Sequence, residues 1–217
     1  MEYQLLKPEV ITKLLDLRLD KAETNQFVGE AQEVEDEKPD EKKNTSKPKK
    51  CYLLVTEICF YYVTKESLKI GKPKEIISLF DINDIILGQN DFITLKFKKR
   101  TFYFMLANSA ALMTNILLQV KKLAWNITPG QIFSFKEIFG NENFQKMPNV
   151  TKRPPNLLLF RYLSTSVAKE AQFDKELIQI YNKYDDDPRV VINLTEIEPS
   201  LPLAAMFPVT LESHIRK

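Results

Sequence analysis

Glycine, histidine and cysteine are all scarce in this 217-residue sequence, which holds five, one and two of them respectively. The glycines, Gly29, Gly71, Gly88, Gly130 and Gly140, stand far apart. Neither a P-loop nor a dinucleotide-binding turn can be built from them, because both need clustered glycines where a strand runs into a helix. The one histidine, His214, lies beside the C-terminus. That leaves no imidazole for a Ser-His or Cys-His pair, or for a multi-histidine metal centre, within a buried site. Asp185, Asp186 and Asp187 are consecutive, so they point in different directions, and no calcium-loop spacing follows. They read as a helix-ending turn. No catalytic activity, metal or cofactor is therefore expected.

Other absences bear on compartment and partner. The opening residues lack the apolar core of a signal peptide, and no later run reaches the roughly 18 apolar residues of a membrane span. A cytoplasmic protein without a transmembrane segment is expected. In that compartment Cys51 and Cys59 read as free, buried thiols. The Asn-x-Ser/Thr triplets at Asn44, Asn126, Asn149 and Asn193 then read as chance matches rather than glycosylation sites. Net charge is also nearly absent, since 31 basic residues against 29 acidic ones leave +2. Any electrostatic partner must be met by a local patch, and nucleic acid is not the expected ligand.

The apolar share of 44% suffices for one good core with an appendage. Residues 10–19 carry Ile11, Leu14, Leu15, Leu17 and Leu19 in partial alternation and are read as a strand. Residues 30–50 are almost devoid of apolar side chains, acidic first and then rich in lysine. They are read as a disordered charged loop, since they cannot offset their ordering entropy by burial. Cys51-Tyr-Leu-Leu-Val and Ile58-Cys-Phe-Tyr-Tyr-Val form a hairpin signal, and short runs at 76–80, 85–87, 92–97 and 101–106 continue as an antiparallel meander. Tyr61, Tyr62, Phe92, Phe97, Phe102 and Phe104 alternate along these runs and are assigned mainly to the core. From 110 to 125, Leu112, Ile116, Leu117, Val120 and Leu123 recur at helical spacing behind Asn108 and Ser109, which predicts an amphipathic helix. Residues 127–156 read as a connector with a short helix near Phe135 to Phe139, pinned by Ile132, Phe133 and Phe135. Helices follow at 157–171 and 173–184, then a strand at 189–194 and a helix at 201–213.

This order resembles the pleckstrin-homology (PH) superfamily, in which a helix plugs one end of a seven-stranded bent barrel. A closer likeness is to the N-terminal region of CARMIL-family actin regulators. It is carried by Leu53-Leu-Val-Thr-Glu-Ile-Cys-Phe-Tyr-Tyr-Val, the helix from Ser109 to Trp125 running into Thr128-Pro-Gly, and the helices between Phe160 and Tyr184 ahead of Ile192-Asn-Leu-Thr-Glu-Ile. The resemblance implies an α+β fold: a PH-like bent antiparallel β-barrel capped by a C-terminal helix, then a small mainly helical segment with one strand. The units would be a PH-like domain at 1–126, a connector at 127–156, and a helical linker with a first leucine-rich-repeat-like unit at 157–217. The long repeat array and the capping-protein-binding tail of that family are not in this sequence.

Basic residues gather at Lys96, Lys98, Lys99 and Arg100, and again at Lys69, Lys72 and Lys74. Both groups are candidate lipid-binding sites, because each lysine or arginine near an anionic bilayer contributes about 1 kcal/mol. Lys13, Arg18 and Lys21 approximate the basic pattern that many PH domains carry between their first two strands, with Asp20 misplaced within it. The expected function is that of a non-catalytic adaptor or scaffold, peripheral at a membrane or the cytoskeleton. It would attach an actin-associated assembly to an anionic phospholipid surface or a protein partner. The rival reading is a pure protein-interaction module that takes a peptide along a strand edge, with no lipid role.

Overall fold

The computed structural model describes residues 6–34, 48–126 and 136–184. Helix α1 (Pro8–Leu15) leads into seven strands: β1 (Phe27–Val34), β2 (Lys49–Val55), β3 (Cys59–Thr64), β4 (Glu75–Ser78), β5 (Ile82–Leu87), β6 (Phe92–Phe97) and β7 (Thr101–Met105). Helix α2 (Lys65–Ile70) is set between β3 and β4, and α3 (Ser109–Leu123) follows β7. Then come α4 (Lys136–Phe139), α5 (Glu142–Lys146), α6 (Leu157–Ala168) and α7 (Lys175–Tyr184).

Every strand pairing is antiparallel, in the order β4-β3-β2-β1-β7-β6-β5. The two edge strands, β4 and β5, are consecutive in the chain and joined only by the 3₁₀ turn Leu79–Asp81. So short a link forces the sheet to curl until its edges approach one another, which makes it a bent barrel. Helix α3 lays Leu112, Ile116, Leu117, Val120 and Leu123 into the concavity. Phe60, Tyr62, Phe97, Phe102 and Phe104 pack there with ring centroids 5.5–6.2 Å apart. Of the six aromatics assigned to the core, Phe92 alone is only half-buried. The α+β, PH-like architecture expected from the sequence is present.

Two readings are corrected. Residues 8–15 are helix, not strand: Pro8 opens the first turn, and Val10, Ile11 and Leu14 share a face whose Leu14 is fully buried. Three- and four-residue spacing outweighed the partial alternation. The disordered stretch placed at 30–50 is strand at both ends, since β1 runs to Val34 and β2 begins at Lys49. Strand β1 has a single buried residue, Ala31, yet it is central and pairs with β2 on one side and β7 on the other. Its backbone is ordered by those ladders, and its charges are met locally, Glu30 by Lys50 at 2.6 Å and Glu33 by Arg100 at 3.3 Å. Hydropathy carries no trace of such a strand.

Helix α6 is not held away from the barrel. Ser164 Oγ shares a hydrogen bond with Ser78 Oγ at 2.8 Å and donates to the Ile58 carbonyl at 2.9 Å. Leu159 and Leu163 join the same hydrophobic core as the strands. Arg161, 4% exposed, donates to the carbonyl oxygens of Leu123 (2.9 Å) and Trp125. A buried cation therefore closes the C-terminal end of α3, where helix carbonyls lack intrahelical partners.

Candidate attachment surface

Three connections leave the barrel at one end. Glu33 stands opposite Lys49, Cys51 opposite Thr64, Tyr62 opposite Glu75, Val34 opposite Tyr103 and Lys96 opposite Thr101, so β1 ends, β2 begins, and the β3–β4 and β6–β7 connections lie there. Arg100 ties the three together. Its guanidinium pairs with Glu33 and Glu75 and lies 4.5 Å from the centroid of the Phe102 ring. The Tyr62 hydroxyl donates to Glu33 at 2.5 Å.

The basic turn between β6 and β7 is neutralised from within. Lys96 pairs with Asp84 at 3.6 Å, Lys98 with Asp81 at 3.1 Å, Lys99 with Glu170 at 2.5 Å, and Arg100 with its two glutamates. Exposed pairs of this kind add little stability, but they cancel the local field that would draw an anion. Glu170 reaches Lys99 from the end of α6. There Ala171 N–H donates to the Ser166 carbonyl and Glu170 N–H to the Val167 carbonyl, a Schellman turn with Glu170 at φ 55° in the left-handed position usual for glycine. The Lys99 ammonium holds the Glu170 carboxyl below the usual carboxylate range, and Glu170 raises Lys99 in return.

Lys69, Lys72 and Lys74 stand differently. Helix α2 starts at Thr64, whose hydroxyl accepts from Ser67 N–H at 3.2 Å. It stops at Gly71, φ 74°, whose N–H and that of Lys72 both donate to the Ser67 carbonyl. Glycine adopts that left-handed conformation without the steric cost a Cβ would bring. The only carboxylate on the helix, Glu66, bonds to its own backbone N–H and to Thr64, and these bonds with the nearby Lys69 and Lys65 hold its pKa down. The acid is thereby turned toward the helix start. At the other end Ile70 is 72% exposed, more than any other large apolar residue described, between exposed Lys69 and Lys72. Lys74 lies 5.2 Å from the centroid of the Tyr62 ring. Lys65, Lys69 and Lys72 form no ion pair among the described residues. Sequence reading singled out Lys69, Lys72 and Lys74 and missed both Lys65 and Ile70. An isoleucine inside a Lys/Gly/Pro turn was the available signal.

Lys13, Arg18 and Lys21 precede β1 and so do not lie between the first two strands, which corrects the pattern proposed for them. Arg18 instead donates to the carbonyls of Leu15 (2.7 Å) and Glu23 (2.5 Å). This segment packs by the β2–β3 turn, the end of the sheet remote from Arg100. There fully buried Glu23 accepts from the Tyr61 hydroxyl and the Asp20 N–H, each at 2.9 Å. Burial pushes its carboxyl above the usual range.

A cleft of about 230 Å³ lies between β4, the β6–β7 turn and the end of α6, and a groove of about 600 Å³ between the end of α3 and the α5 region. The groove contains Lys121, which donates to the Met147 carbonyl at 2.6 Å and lies 5.0 Å from the centroid of the Phe144 ring. Burial lowers its pKa. Among the described residues no group of three or more His, Cys, Asp or Glu could hold a metal. No described helix is long and apolar enough to cross a membrane. Asp185 to Asp187, His214, the pinning residues Ile132, Phe133 and Phe135, and the repeat-like segment after residue 188 lie outside the described residues.

No protein-family model and no curated protein sequence matches this chain. Among solved structures it is similar to the N-terminal PH domain of human ARAP2, at 14% identity over 47% of this chain and 84% of that one, TM-score 0.38. It is also similar to the C-terminal domain of an unknown protein from Leishmania infantum, at 16% identity over 51% and 91%, TM-score 0.35. Autoinhibited Vav1 matches at 10% identity over 57% of this chain and 24% of that one, TM-score 0.39. Strand order and the closing helix of this chain, not these superpositions, assign its fold.

Proposed function

We propose that this chain is a non-catalytic attachment module, cytoplasmic and peripheral, whose three-connection end holds an anionic phospholipid surface. The observation that carries the reading is the pairing pattern at that end. Lysines of the β3–β4 connection have no carboxylate ion-pair partner among the described residues, whereas those of the β6–β7 turn are each matched to one. The attracting charge thus resides on Lys65, Lys69 and Lys72, and Lys96 to Arg100 hold the end together. In the CARMIL-like reading, the assembly so anchored is actin-associated. That refinement rests on the residue pattern alone.

The strand-edge alternative is weakened by the coverage of both edges. Asn141 Nδ2 donates to the Ile85 carbonyl at 3.3 Å and the Asp84 carboxylate accepts from Ile85 N–H at 2.9 Å, while α6 packs along β4. Only Ile86 and Leu87, at 40% and 37% exposure, leave part of β5 open. Co-sedimentation with phosphatidylserine-containing and with neutral vesicles, at low and high salt, separates the two. Binding confined to anionic vesicles and fading with salt supports attachment to lipid. No binding to either overturns it.

A further inference from the structure

The helix between β3 and β4 presents the most exposed large apolar side chain among the described residues, set among lysines. Ile70 is 72% exposed at the last position of α2, with lysines at 65, 69, 72 and 74 around it and the lone acid, Glu66, bonded back at the helix start. Ser67 is buried and, with Thr64 and Gly71, makes a short rigid turn anchored to β3. The tip is therefore held in place rather than free to fold its isoleucine back onto the barrel.

Resting on the attachment reading, we infer that Ile70 is a membrane-inserting tip: it enters the headgroup boundary of an anionic bilayer while Lys65, Lys69 and Lys72 contact the phosphates. The occupant is a bilayer rather than a peptide groove partner because a single apolar side chain stands exposed beside Lys69, Lys72 and Lys74, and the one acid on the helix, Glu66, is bonded at its start. An interface of these two components should bind through both: the lysines set a salt-dependent attraction, and the isoleucine adds an apolar contribution that salt does not screen.

The test compares wild type with Ile70→Asp, Ile70→Leu and a Lys65/Lys69/Lys72→Ala variant on phosphatidylserine–phosphatidylcholine vesicles. Ile70 is exposed, so its variants should fold. Ile70→Asp should weaken partitioning about tenfold or more, Ile70→Leu should leave it unchanged, and the lysine variant should lose about a hundredfold at low salt. An environment-sensitive dye on Ile70→Cys should shift to the blue with anionic vesicles only, since native Cys51 and Cys59 are buried. Wild-type binding that Ile70→Asp leaves intact, or an unshifted dye on a bound protein, overturns the tip while attachment stands. A wild type that ignores every vesicle overturns attachment itself.

Discussion

Among single residues, the buried acids and bases are structural fasteners whose cost is visible in pH. Glu23 carries a raised pKa because burial disfavours its charge more than Tyr61, Thr56 and the Asp20 amide favour it, and Glu57 adds repulsion. Below the usual carboxylate range both folded and unfolded chains hold this proton, and the residue adds no pH dependence. As pH climbs above that range the unfolded chain ionises first, so stability falls until the folded group ionises too. Glu23→Gln should remove that fall. In urea titrations across acidic to neutral pH, the variant gains on wild type as pH rises, and parallel profiles would exclude the mechanism. Both cysteines are free and buried, as expected from the sequence. Burial pushes Cys51 up to about 12, so little thiolate is available in the folded protein.

Helix ends decide how the elements join. Arg161 donates from α6 to the carbonyls of Leu123, the last residue of α3, and of Trp125 just beyond it, a bond between helices far apart in the sequence. Arg161→Ala leaves buried carbonyl oxygens unmatched, and a loss of about 2–4 kcal/mol in chemical denaturation is expected, since each unsatisfied group costs about 1–3 kcal/mol. A loss near zero would mean that water replaces the guanidinium. Most strands were legible because aromatic and β-branched residues recur between turn signals. Strand β1 was not, because Phe27–Val34 takes its order from two neighbouring ladders and shows only Ala31 to the core. Helix α1 was misread because residues 10–19 match both periodicities over so short a span. Among candidate site residues, clustering in sequence pointed to Lys96, Lys98, Lys99 and Arg100. It could not show that Asp81, Asp84, Glu33, Glu75 and Glu170 converge on them from elsewhere in the chain.

Across the whole molecule, α6 completes the core that the strands begin. It shields the Ile58 carbonyl and Ser78, and it seats Leu159 and Leu163 in the common cluster. A chain ending at residue 156 should therefore bind a hydrophobic dye and lose its cooperative thermal transition, whereas the full chain melts in one step. A cooperative transition retained by the shorter chain would show the barrel to be self-sufficient.

By itself, the sequence determined the class of fold, the meander of strands, the plugging helix, and the absence of clustered glycines and of any histidine away from its end. These follow from local composition and period, which act between residues near in the chain. Tertiary structure alone decided that a polar segment becomes the central strand, that an arginine in one helix closes another, and which lysines have an ion-pair partner among the described residues. Each of those depends on which distant side chain arrives within about 4 Å, the range at which an ion pair or hydrogen bond begins to matter.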